Sequence, residues 1–200
     1  MMKTRARPLR AILVTAAAVF LAGATVGACD NDEEENATNT TDGGEALLTD
    51  AQVVGVTTAA NQGEIDAANA YLPRAQNQQS AGFARQMIVE HTATLERQSA
   101  IAASLGLTPA PSTTQQQLQA MNAQTLQQLQ ATQPPQLDLG YMQSQVVAHK
   151  EVLRLIDEQL LPSATIPALR EDLARTRADV ARHLAEAQAI VDTLTTVGTR

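Results

Sequence analysis

The chain has three histidines, and each falls in a stripe of apolar residues spaced by three and four. His91 lies in the series Phe83, Met87, His91, Leu95, Gln98, Ile101, Leu105. His149 lies in Met142, Val146, His149, Leu153, Ile156, Leu160. His183 lies in Leu169, Leu173, Thr176, Val180, His183, Ala187, Ile190, Leu194. A fourth stripe, Val53, Val56, Ala60, Glu64, Ala67, Tyr71, carries a carboxylate instead. Such spacing puts each series on one face of a helix. Imidazole nitrogens on facing helices suit zinc, copper or iron, so the sequence offers a single transition-metal site. Its ligands would be His91, His149 and His183, with Glu64 as a fourth ligand or as the group that orients one of them. The same pattern also fits three core histidines that satisfy one another, Glu64 or a helix carbonyl, because buried polar groups must find partners. Met87, one turn from His91, is either a soft copper ligand or a core side chain.

Helices must position these residues, and signals for them are plentiful. Thr49–Gln52 has the form of a capping box, with Leu48 and Val53 placed as a hydrophobic staple. Ser112–Gln115 repeats the box. Asp138, after Pro134 and Pro135, is placed to cap a helix that Leu137 and Met142 would staple. Pro167, with Glu171 and Asp172 beyond it, opens another. Gly106 stands where a helix closes. Four long helices are predicted at about 50–78, 80–105, 138–161 and 166–194, by patterns of about 3.6 residues per turn. A shorter one over about 113–131 carries Leu118, Met121 and Leu129 within a glutamine-rich stretch. Pro73 lacks the amide proton and crowds the carbonyl four residues back, so the first helix should kink or break near Asn69 to Leu72. No run alternates as a half-buried strand does. At about 1.5 Å rise per residue in an up-and-down arrangement, Glu64 and the three histidines come to similar depths. The fold class is all-α: a four-helix bundle with an extra short helix between helices 2 and 3.

Several chemistries are disfavoured. Di-iron bundles place a Glu three residues before each ligating His, and here those positions hold Ile88, Val146 and Val180. Glu90 neighbours His91 but points about 100° away on an ideal helix. Glu186 lies one turn beyond His183, on the flank of the seam. Nucleophile-elbow, phosphate-loop and zinc-protease signatures are missing. The pairs Asp157/Glu158 and Glu171/Asp172 read as solvated faces.

The N-terminus indicates where the protein acts. Lys3, Arg5, Arg7 and Arg10 precede the apolar run AILVTAAAVFLA, which is shorter than the roughly 20 residues that span a bilayer. Val26-Gly27-Ala28-Cys29 follows and resembles a bacterial lipobox. The chain has one cysteine, which can form no internal disulfide but needs no partner as a lipid anchor. Residues 1–28 are therefore expected to be a lipoprotein signal peptide and Cys29 the lipidated residue. Four of the 14 Lys and Arg residues lie in the leader, so the remainder carries 10 positive against 21 negative charges. That balance disfavours nucleic acid. Residues 29–46 (DNDEEENATNTTDGGE and its borders) hold no core-forming side chain and read as a solvated acidic tether. The domain itself is expected over 47–196.

The stretch FARQMIVEHTATLERQSAIAASLGL (residues 83–107) resembles the FAQ-M-V-DH-T helix of the DUF4142 family of bacterial exported proteins. Leu137-Asp138 with Tyr141 through His149 resembles that family's FD-x-x-Y followed by histidine. Leu169-Arg170 with Arg182-His183 is similar to its L-P-x-L-x-x-H segment, with Pro167 standing earlier than that pattern places it. The resemblance covers about 48–194 and implies a ferritin-like helical bundle, without implying an activity. The reading that follows is a lipid-anchored cell-envelope protein, facing the periplasm or the exterior, whose membrane contact is Cys29. Its expected role is non-enzymatic, binding or structural, with ligand and protein partners unknown. The alternative is a metal-binding or metal-dependent redox protein built on the histidines.

Overall fold

The computed structural model describes residues 47–198, and side chains through Thr196. Residues 1–46, where the signal peptide, the lipidated Cys29 and the acidic tether are expected, lie outside the described residues. Among the described residues the structure is helical, without strands. Helix α1 is Asp50–Tyr71, α2 Gln78–Ser104, α3 Thr113–Ala131, α4 Pro134–Leu155 and α5 Pro167–Gly198. A π turn at Ile156–Leu160 and a last turn at Leu161–Ser163 prolong α4. Helix α1 packs along α2 and α3, α4 packs along α5, and α2 also touches α5. No helix among the described residues is long and apolar enough to cross a membrane.

The local signals explain most of the boundaries. Thr49 Oγ1 accepts from the Gln52 amide while Gln52 Oε1 accepts from the Thr49 amide, closing the expected box. Ser112 Oγ accepts from the Gln115 amide at the start of α3. Gly106 takes φ +68 after α2, a left-handed turn that costs little without a Cβ. A Cβ on Gly55 would lie 2.3 Å from the Ala110 carbonyl oxygen, so only glycine lets the α2–α3 link run this close to α1.

Three boundaries differ from the sequence reading. The first helix, expected to run to 78, ends at Tyr71, and Pro73 sits in a 3-10 turn over Leu72–Arg74. The break falls where proline requires it, but the chain does not resume the same helix. Instead Asn77 caps α2, its side-chain oxygen accepting from the amides of Gln79 and Ser80. The third long helix, expected from 138, starts at Pro134. Two prolines in the first turn have no amide protons to leave unsatisfied there. Asp138 therefore caps nothing on α4. It reaches across and accepts from the amides of Gln76 and Asn77 and from the Tyr71 hydroxyl, tying the α1–α2 connection to α4. The π turn was not foreseen. Pro162 follows it, and a proline crowds the turn before it. The Leu161 amide bonds back to Ile156, one residue further than an α-helix would reach.

The interior is layered. One apolar cluster joins Val53, Val56 and Ala59 of α1 with Ala102, Leu118, Ile156, Leu160, Leu169, Leu173 and Val180. A second joins Ala67, Ala68 and Tyr71 with Phe83, Met87, Leu129, Leu137, Tyr141, Met142, Ala187 and Ile190. Between them, on every helix but α3, the buried positions turn polar: Asn61 and Glu64, then His91, Thr94 and Gln98, then Gln145 and His149, and His183. The α2 stripe keeps His91 and Gln98 but changes their neighbours. Thr94, Gln98 and Ala102 are buried, whereas Leu95, Ile101 and Leu105 are half-buried. Met121, expected on the α3 stripe, is 37% exposed, while Leu118 and Leu129 are buried.

Candidate metal centre

Helices α2, α4 and α5 each deliver one imidazole to the polar layer. Their ring centroids are 5.9 Å apart for His91 and His149, 5.3 Å for His91 and His183, and 5.4 Å for His149 and His183. All three residues are buried. Phe83 from the second apolar cluster presents itself edge-on to His149 and His183. Met87 packs into that same cluster, as a core side chain does.

Each ring uses one nitrogen on a fixed acceptor. His149 Nδ1 donates to the Gln145 carbonyl at 2.9 Å, with Glu64 Oε1 3.7 Å away. His183 Nε2 donates to Glu90 Oε2 at 2.8 Å. Glu90 also accepts from Arg182 at 2.5 Å. Burial works against the Glu90 charge, but hydrogen bonds from Arg182, His183 and Gln86 outweigh it and hold the carboxyl at about 2. His91 Nδ1 meets Asn61 Oδ1 at 2.9 Å. A relay decides that amide's orientation. Arg97 donates to Asp172 at 2.5 Å, and Asp172 accepts from Gln98 Nε2 at 3.0 Å. Gln98 therefore turns its oxygen to Asn61 Nδ2, at 3.0 Å, leaving the Asn61 oxygen to face His91. A carboxylate at one end thus sets a tautomer at the other.

All three partners are acceptors, so each ring carries its proton on the engaged nitrogen. The remaining nitrogens, His91 Nε2, His149 Nε2 and His183 Nδ1, carry lone pairs, and all three are buried without a hydrogen-bond partner. One ligand atom from each ring lies within 4.8 Å of the others; bonds of about 2.0–2.1 Å from one zinc ion to all three would draw the rings closer together. Three acceptors cannot satisfy one another. Glu64 Oε2, Gln145 Oε1 and Tyr141 OH are buried and unpartnered in the same region. At about 1–3 kcal/mol for each buried polar atom left unpaired, this layer is costly as packing alone.

Charge on two of the rings, those of His91 and His183, is disfavoured too. Burial, then the neighbouring His149 and His183, push His91 down to about 3. For His183, burial together with His149 and Arg182 outweighs the opposing pull of Glu90, and the net shift is downward. Neutral imidazole is the form that ligates a metal. The Tyr141 hydroxyl is pushed well up by burial, with Glu64 and Tyr71 adding to it.

The expected set is thus brought together with one distinction. Among the described residues the group that could hold an ion is His91, His149 and His183. Glu64 stands beside the proton-bearing nitrogen of His149, in the orienting position rather than among the three converging nitrogens. The sequence placed Gln98 on the inward stripe, where it is found, but gave no role to Glu90, Asn61 or Asp172. Glu90 lies off the His91 stripe, as expected, and for that reason reaches α5. The buried Asp172 looked like part of a solvated Glu171/Asp172 face, and its only signal was its place one turn before Thr176 on the seam.

A family model for a domain of unknown function, DUF4142, matches residues 34–190. The chain belongs to the DUF4142 family. The match takes in every residue of the candidate centre and begins inside the acidic segment. Neither a curated protein nor a solved structure matches the chain. For this DUF4142 protein, function must be argued from the site.

Proposed function

We propose that this DUF4142 domain binds a single transition-metal ion, zinc, copper or iron, through His91 Nε2, His149 Nε2 and His183 Nδ1, and that the chain works as a lipid-anchored envelope protein. One observation carries the metal reading: three buried nitrogen lone pairs converge, each fixed by an acceptor on the opposite side of its ring. Ligating histidines are typically oriented in this way, through a hydrogen bond from the other ring nitrogen to a carboxylate or a main-chain carbonyl. In the packing-network alternative those lone pairs have no hydrogen-bond partner among the protein groups around them. The test is metal content after loading with zinc and removal of unbound metal. One ion per chain is expected, with loss of binding in His149→Ala. A wild type that retains no metal ends the reading.

We read the helix arrangement as ferritin-like, with α3 added against α1 so that α2 and α4 run in the same direction, rather than in the up-and-down alternation expected for the four long helices. The support is the order of the clusters. The first cluster uses the start of α1, the end of α2, the end of α4 and the start of α5, and the second uses their opposite ends. Envelope placement rests on the basic n-region, the short apolar run and Val26-Gly27-Ala28-Cys29. Cys29→Ser should leave an unprocessed precursor or release the protein from the membrane fraction. Normal processing and membrane partition in that variant would contradict the anchor.

A further inference from the structure

A small cavity of about 20 Å³ lies beside two of the three imidazoles, those of His91 and His149, and not beside His183; it is enough for one water-sized occupant. His91, His149 and Glu64 line it, and each bears a buried atom without a partner. Much of the remaining wall is aliphatic, from Val56, Val152, Leu155 and Val180. Resting on the metal reading above, we infer that this cavity is the metal's fourth coordination position and that Glu64 reserves it for a ligand able to donate a hydrogen, water foremost. Three protein ligands with an open fourth position are the arrangement that lets zinc hold an exchangeable ligand. A water in an apolar cavity needs two or more polar partners. Here the ion supplies one and Glu64 Oε2, acceptor-only as a carboxylate, supplies the other. An aprotic anion such as azide has no hydrogen to offer Glu64 and meets its negative charge at short range. Glu64 is therefore a specificity-determining residue for the open position.

The test uses the full chain loaded with Co(II), whose visible bands report donor exchange. Azide should shift those bands in Glu64→Gln, which can donate from its amide, at a concentration about tenfold or more below that needed for the wild type. The two proteins are compared at full cobalt occupancy, so that a change in cobalt affinity does not enter the azide comparison. A second measurement needs no variant: water-proton relaxation in the Cu(II)-loaded wild type should show an exchangeable water on the ion. Equal azide affinity in the two proteins, or no relaxation enhancement, overturns the inference while the metal site stands. A wild type that retains neither cobalt nor copper removes the metal reading itself and this position with it.

Discussion

Zinc at about a thousand times its dissociation constant should stabilise the chain by about 4 kcal/mol at pH 7.5, because an ion that binds only the folded state stabilises it by mass action. EDTA should abolish the gain. The effect is large against a typical total stability of about 5–15 kcal/mol. Its source is local. The metal-free fold holds three buried nitrogens without donors, and the ion satisfies all of them at once. In His149→Ala the zinc-dependent increment should disappear, since two imidazoles on α2 and α5 remain without the third. Urea midpoints with and without EDTA measure this directly. Identical midpoints in the zinc-loaded wild type would rule the increment out.

With metal removed by EDTA, the chain should lose about 2 kcal/mol or more of stability between pH 7.5 and pH 5.0. The sign follows from the direction of the shifts. His91 is pushed down to about 3, whereas in the unfolded chain it titrates near 6.5. The unfolded state therefore binds the extra proton first. Stability is complete above about 6.5 and falls as pH drops toward 3, at about 1.4 kcal/mol per pH unit once the unfolded ring is protonated. By pH 5.0 His91 alone accounts for about 2 kcal/mol on that slope, and His183, shifted the same way, adds to it. Glu90 acts in another window. Its carboxyl is held at about 2, so its contribution is intact above about 4.3 and is lost only as pH falls below that. Denaturation at several pH values between 7.5 and 5.0 isolates the histidines. A flat or rising midpoint across that range would mean that the rings are not held neutral.

The sequence carried the helices and the three histidines because both follow from periodicity. Stripes at three and four place His91, His149 and His183 inward whatever the details of the loops. It carried less of what surrounds them. Asn61 and Asp172 are polar residues that hydropathy reads as surface; their burial depends on bonding Gln98, itself placed inward by the stripe, across α1, α2 and α5. On α2 Thr94 and Ala102 take the buried places expected of Leu95 and Ile101, on either side of the inward Gln98. Asp138 has every mark of a helix cap, but its acceptor oxygens serve backbone amides 61 and 62 residues away in the chain. Contacts of that range leave no local pattern. Glu64 was legible as a buried carboxylate, whereas its role depends on which His149 nitrogen it faces.

Nitrogen NMR of the histidine rings tests the central claim most directly, because that claim concerns which ring nitrogen bears the proton. In the metal-free protein at pH 7.5, His91 and His149 should be neutral with the proton on Nδ1, and His183 neutral with the proton on Nε2. One equivalent of zinc should then shift His91 Nε2, His149 Nε2 and His183 Nδ1 together and leave the protonated nitrogens in place. A proton on Nε2 of His91 or His149, or three rings that do not respond to zinc, would contradict the account.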